Sequence, residues 1–253
     1  RYDSTSNVNN ANPSGYDGDE ATTGKIGGAD NLDGTNDYLN TTNNVGITGN
    51  GVRTISFWIK LDTTARNGMV GFGGLVNNGE FEAGVRNTNY ILWAFGAGND
   101  WENIAPALTG AWHYYAVVFD SSTAQWYEDG SFISGFSHTY NTVAGHAYFG
   151  YENDNNEVYS YMDGIIDEVR ISSTAWGSAW IKACYESERD HLIDFEIEET
   201  CGSSSSYTAF VDGGSMSILT TSNTTLATLC TSFSTCDSTH KNFVIAIVQF
   251  ECG

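Results

Sequence analysis

The chain has 253 residues, enough for one large domain or one with a small companion. Ten Lys and Arg stand against 31 Asp and Glu, a formal charge of −21, which excludes the basic face that nucleic acid requires and disfavours docking on anionic lipid. With 40% hydrophobic and 13% aromatic residues the chain is too apolar for disorder, yet no apolar run approaches the ~20 residues of a bilayer span.

Only 2 Pro accompany 28 Gly, 14 Tyr and 13 Phe, a composition of aromatic strands joined by Gly, Asn and Asp turns. The chain begins at Arg1 without a signal peptide and reads as a mature fragment or a piece of a longer precursor. Residues 1 to 20 are polar and predict a loop. From Lys25 to about Ile171, short apolar stretches alternate with turn signals. In "RTISFWIK", Ile55, Phe57 and Ile59 alternate with Ser56, Trp58 and Lys60, the period of a half-buried strand. "WHYYAVVFD" (Trp112 to Asp120) predicts a second strand, and "AQWYEDGSFIS" a hairpin turning at Asp129-Gly130. "GHAYFGYE" and "DGIIDEVRIS" predict two more. Strands at this spacing, with no long helical period, predict an all-β antiparallel sandwich. A short helix is expected in "STAWGSAWIKACYES" (Ser173 to Ser187), capped by Ser173, with Ala175, Ala179, Ile181 and Ala183 toward a sheet. "HLIDFEIEE" then predicts a closing strand.

The composition changes at Thr200, which divides the chain into domains 1–199 and 200–253. The second is a Ser/Thr-rich β appendage of about 50 residues, near the lower limit for a core without disulfides. It carries Cys201, Cys230, Cys236 and Cys252, expected to form disulfides in an oxidising compartment; four cysteines allow three pairings. Cys184 is left free or bonds to another chain. The last apolar run has Phe243, Ile245 and Ile247 on one face and Val244, Ala246, Val248 and Phe250 on the other. A strand apolar on both faces must be covered twice, centrally in the appendage or as an assembly strand added to another subunit's sheet edge.

Three chemistries have candidate residues. Calcium takes six to eight hard oxygens, which Asp- and Asn-rich loops supply: Asp17, Asp19 and Glu20; Asp33, Asn36 and Asp37; Glu152 and Asp154. Their plainer reading is as turn residues. Glycan binding wants exposed ring faces, for which Tyr90, Trp93 and Trp101 lie near the polar loop "GAGNDWEN". Were the chain an enzyme, Asp194, Glu196 and Glu198 alternate along one strand face and would be its carboxylates, the plainer reading being a solvated face. No nucleophile elbow, phosphate loop or dinucleotide fingerprint is present. Asn40 and Asn223 open N-glycosylation sequons.

"GKIGGADNLDGTNDYL", "TISFWIK", "WHYYAVVFD" followed by "WYEDG", and "MDGIIDEVRIS" occur in an order that resembles the laminin-G-like, concanavalin-A-like jelly-roll superfamily. "DSTSN" near the start and "TAWGSAWIKACYES" near the end are similar to the variety found in large surface proteins of bacteria and archaea. The resemblance spans residues 1 to about 199. It implies a jelly-roll sandwich outside the cell or on its surface, with calcium at the rim. The function it implies first is a non-catalytic adhesion or structural module of a surface layer, appendage or filament. A lectin-like glycan-binding domain is the alternative, and a polysaccharide hydrolase or lyase the third reading. Expected partners are other copies of the chain, other surface proteins or glycans. Members usually carry an apolar strand just before "DSTSN"; here that slot is expected to be filled by the appendage or by a neighbouring subunit.

Overall fold

The structure, a computed structural model, describes residues 1–94, 99–154 and 157–189, and beyond them the strands Tyr207–Val211 and Ser215–Leu219; the side chains of 154, 157–159 and those last two strands are outside the description. The chain divides into two compact units, Arg1–Leu192 and Ile193–Gly253.

The first unit opens with β1 (Ala11–Ser14), β2 (Ala21–Thr23), β3 (Gly28–Asp33), β4 (Tyr38–Asn44) and β5 (Arg53–Leu61). It continues with β6 (Asn67–Gly73), β7 (Glu80–Arg86), β8 (Asn89–Trp93), β9 (His113–Phe119) and β10 (Thr123–Glu128). The remaining elements are β11 (Ser131–Ser137), β12 (His146–Phe149), β13 (Tyr151–Asp154), β14 (Glu157–Tyr161), β15 (Asp163–Ser172) and α1 (Ser178–Glu188). Within the second unit, β16 (Tyr207–Val211) pairs antiparallel with β17 (Ser215–Leu219).

One sheet has the order β1-β4-β12-β6-β7-β8 and the other β11-β10-β9-β5-β15-β3-β2, with antiparallel pairing throughout. The two pack face to face as a jelly-roll β-sandwich. Strand alternation decides which residues meet inside: Ile55, Phe57 and Ile59 with Val117 and Phe119 from one sheet, Phe72, Phe81, Ala83 and Leu92 from the other. Arg53 is buried among the rings of Phe72, Phe81, Phe119 and Tyr140. Its guanidinium donates to the Gly49 and Gly51 carbonyls at 2.8 Å and to Thr142 Oγ1 at 2.5 Å, and burial lowers its pKa to about 10.

The other face of the seven-stranded sheet turns Trp58, Tyr114, Ala116, Val118 and Tyr127 outward, and α1 covers them with Ile181 and Cys184. Cys184 is therefore buried in the helix–sheet interface. Glu188 closes the seam, accepting from Trp58 Nε1 at 2.5 Å and pairing with Arg170. Arg170 reaches this side because β15 carries a bulge between Asp167 and Arg170, with Glu168 at φ 49°.

The hairpin at Asp129-Gly130 forms as predicted, both residues having positive φ (49° and 73°) in the turn that suits a twisted strand pair. Two expectations are corrected. Residues 11–14 are an edge strand rather than loop; Pro13, which donates no backbone bond, is tolerated where only one side is paired. The helix begins at Ser178, not Ser173, with Gly177 as its N-cap residue. Its buried face is Ile181, Cys184 and Glu188, one helical stripe, so Ala179 stays exposed. Among the described residues no helix is long and apolar enough to cross a membrane.

Candidate functional site

The outer face of the six-stranded sheet gathers the chemistry. On β7, Phe81, Ala83 and Val85 enter the core, so Glu80, Glu82 and Gly84 point the other way. Register aligns one row straight across the sheet: Asn12, Asn40, Tyr148, Gly71, Glu82 and Trp93, each opposite the next. Gly71 is covered by the Tyr148 ring, which a β-carbon at this position would strike. The Tyr148 hydroxyl bonds to Glu80 Oε1 and lies 3.0 Å from Glu82 Oε2. Both carboxyls are buried. Burial pushes Glu80 up to about 8 and Glu82 well above its ordinary range, the neighbouring Glu80 and Glu152 charges raising Glu82 further. Two carboxylates in one buried site do not both ionise readily, so the pair keeps its protons well above the ordinary carboxylate range.

The β13–β14 hairpin lies against β6 on this side. Tyr151 packs against Tyr148 (5.2 Å between centroids) and edge-on to Tyr38 (4.8 Å), and its hydroxyl donates to Asn40 Oδ1 at 2.9 Å. Tyr38 in turn meets Tyr161 at 6.2 Å, and Tyr161 stands opposite Tyr151 in the hairpin. Aromatic rings thus run from the buried acid pair to the sandwich rim, where Tyr38 and Tyr161 are half-buried.

That rim is acidic. Asp17, Asp19 and Glu20 place ligand oxygens within 4.8 Å of one another. Glu20 accepts from the Asp17 and Gly18 amides, while a hydrogen bond to Asp17 and its charge raise Asp19. The neighbouring loop is tied down by Asp33, which accepts from Thr35 N (2.7 Å) and Asn36 N (3.1 Å), and by Asn36, which donates to the Gly15 carbonyl at 3.1 Å. Asp37 is buried there, accepting from Asp33 N, and burial raises it. Gly34 N donates to the Met162 carbonyl at 3.1 Å, which seats this loop beside Tyr161. Burial and the charges of Asp62 and Asp33 raise Asp163.

Of the calcium candidates, the structure therefore brings Asp17, Asp19 and Glu20 together and sets Asp33, Asn36 and Asp37 on the adjoining loop. Glu152 is corrected: its carboxylate is taken by a forked pair with Arg66 and accepts from Ser160 Oγ at 3.1 Å. Asp154 ends β13, its side chain outside the description. Tyr90 and Trp101 are also corrected. Tyr90 is fully buried with its hydroxyl on Tyr115, and Trp101 stacks on Phe136 in the core, so neither offers a ring to solvent. Trp93 lies on the outer face but is buried too. Asn40 lies mid-strand between β1 and β12, bonded to Tyr151, which is not the exposed loop a sequon needs. Asp194, Glu196, Glu198, Asn223, the cysteines Cys201, Cys230, Cys236 and Cys252, and the run Phe243, Val244, Ile245, Ile247 and Val248 lie outside the described residues. Glu80, Glu82 and Tyr148 escaped the sequence reading. The signal was present in "GEFEAG", two carboxyls alternating with Phe81 and Ala83 as strand faces do.

The sequence profile of the concanavalin A-like lectin/glucanases superfamily matches residues 33–182, more than half of the chain. Domain 4 of AbnA, a GH43 extracellular arabinanase from Geobacillus stearothermophilus solved with arabinotriose, is similar at TM-score 0.59 and 22% identity, over 72% of this chain and 90% of that one. The binding domain of Paraclostridial Mosquitocidal Protein 1 is similar at 0.57 and 15%, over 74% and 49%. A structure of botulinum neurotoxin type C, whose cell entry depends on two ganglioside molecules, is similar at 0.54 and 12%, over 74% and 48%. The chain thus spans about half of the two toxin chains, and at these identities the likeness shows the fold. No curated protein matches the sequence.

Proposed function

The chain belongs to the concanavalin A-like lectin/glucanase superfamily, and on that premise we propose that its sandwich is a non-catalytic, extracellular carbohydrate-binding module. The observation that carries this reading is the rim. Half-buried Tyr38 and Tyr161 offer ring surface for a sugar face, and Asp33, Asn36, Asp17 and Asp19 offer acceptors and an amide for hydroxyls. Solved relatives of the same fold take arabinotriose or gangliosides, which sets the first probes.

A glycan array that includes arabino-oligosaccharides and gangliosides tests the reading. Retention of one glycan class is expected, weakened about tenfold by Tyr38→Ala or Tyr161→Ala, a loss of ~1.4 kcal/mol. No retained glycan, or binding indifferent to both substitutions, overturns it. Calcium belongs to the same proposal. Asp17, Asp19 and Glu20 would hold the ion, a hard-oxygen donor set suited to it, and the ion would fix the loop beside Asn36. Titration calorimetry should find one site, with a Kd of about 10⁻⁴–10⁻³ M as in extracellular modules, lost in Asp19→Asn.

A second reading, self-association at a cell surface, has one observation in its favour. The edge strand β11 is free of charge and exposes Phe132 and Ile133. Light scattering of the native chain and of Phe132→Glu tests it. A dimer lost in the variant supports the reading, and a monomer at all concentrations ends it.

A further inference from the structure

The Glu80–Glu82 pair is left without a role by a rim-binding reading, yet it is bound up with the hairpin that carries Tyr161. Tyr148 has one hydroxyl proton for two carboxyls. The Tyr148 oxygen meets Glu80 Oε1 and Glu82 Oε2, while among the described residues Glu82 Oε1 is buried with no hydrogen-bond partner. It sits over Gly68, and so does the Tyr151 carbonyl; a β-carbon on Gly68 would overlap both oxygens. An ionised Glu82 would set a charged acceptor against a second acceptor in a buried site, an arrangement costly enough to be rare. A proton on Oε1 removes the conflict, because a neutral carboxyl donates where a carboxylate only accepts.

We propose that Glu82 is held as a neutral acid whose Oε1–H donates to the Tyr151 carbonyl, so that one proton latches the β13–β14 hairpin to the sheet. The groups facing it carry negative charge or none, and of them the Tyr148 hydroxyl alone, by donating to Glu82 Oε2, favours the ionised form. Glu80 lies beside it on β7, Tyr148 faces it from β12, Asp100 approaches Glu80 from beyond β8, and Tyr151 and Glu152 face it from β13. Among the described residues Arg66 brings a positive charge to this side, where it is engaged with Glu152. Removing the proton returns the repulsion between Oε1 and the Tyr151 carbonyl. Tyr151 stands opposite Tyr161 and edge-on to Tyr38, so both rim rings shift with it. As a regulator of ligand affinity the latch rests on the carbohydrate reading; as a structural device it does not. The affinity it sets is high when the latch is protonated and falls as the solution becomes alkaline.

The test uses the whole chain, first without ligand. Hydrogen exchange of the hairpin amides, corrected for intrinsic rates, should quicken about tenfold between about pH 6 and about pH 9. Glu82→Gln keeps an N–H donor for the Tyr151 carbonyl but has no proton to lose, and should change less than about twofold over the same range. Infrared spectra of the native chain at about pH 6 should contain a protonated-carboxyl band that weakens in Glu82→Gln. Equal pH dependence in the two proteins, or no such band in the native one, overturns the latch. A second arm repeats the pH series with the glycan selected on the array, expecting affinity to fall in the native chain and hold in Glu82→Gln. Hairpin exchange that behaves as stated while no glycan binds would sink the carbohydrate reading and leave the latch standing. Glycan affinity flat with pH in the native chain would overturn the coupling alone.

Discussion

Among the described residues, Arg53 and the Glu80–Glu82 pair are buried ionisable side chains with no ion-pair partner, and each imposes a measurable consequence. Arg53 trades water for three acceptors and four ring faces. Arg53→Met fills part of the volume but takes the donor from the buried Thr142 hydroxyl, and should cost about 2–4 kcal/mol in urea unfolding. The acid pair works through linkage. Glu80 has an ordinary value of 4.5 and a folded value of about 8, so between those values the folded chain binds more protons than the unfolded one. Stability therefore falls as pH rises through that window, by up to ~1.4 kcal/mol per proton and pH unit. Calorimetric melting across the window should show this decline, and Glu80→Gln should flatten it.

At the level of elements, the helix does for the outer face of the seven-stranded sheet what the second sheet does for the inner one. Ile181→Ala leaves a hole against Trp58 and Tyr114 and should cost about 2–4 kcal/mol, read from the shift in urea midpoint. Strands were legible where side chains alternate in character or a turn demands positive φ, as in "RTISFWIK" and the Asp129-Gly130 hairpin, because both signals are local. β1 was illegible because an edge strand of Ala, Asn, Pro and Ser buries little and forms by pairing with Tyr38–Thr41. The helix start was missed because Ser173 looks like a cap, whereas 173–177 first bring Trp176 into the seam, its amide donating to Thr54 Oγ1 at 3.1 Å. The site was half legible. Acidic loops announce themselves by composition, but the Tyr148–Glu80–Glu82 grouping joins residues far apart in sequence and depends on the register of β12, β6 and β7.

For the whole molecule, the −21 charge is the dominant fact. Like charges repel more in the compact state than in the open chain, and salt screens them. Raising ionic strength from about 0.01 M to about 0.15 M should therefore raise the melting temperature by a few degrees, about 2–4 °C per kcal/mol for a chain this size. A lowered melting temperature would place the balance with the few ion pairs instead. β15 adds a constraint of another kind. Its partners are β3 and β5, so the strand in the middle of the larger sheet is the last to be made. A ribosome that has delivered β5, β9, β10 and β11 has produced one piece of that sheet, and β2 with β3 is another; nothing joins them until Asp163–Ser172 emerges. Folding must then wait for almost the whole sandwich sequence, with two strand edges open meanwhile, and a chain stopped short of Asp163 is one for chaperones and proteases rather than a smaller working domain.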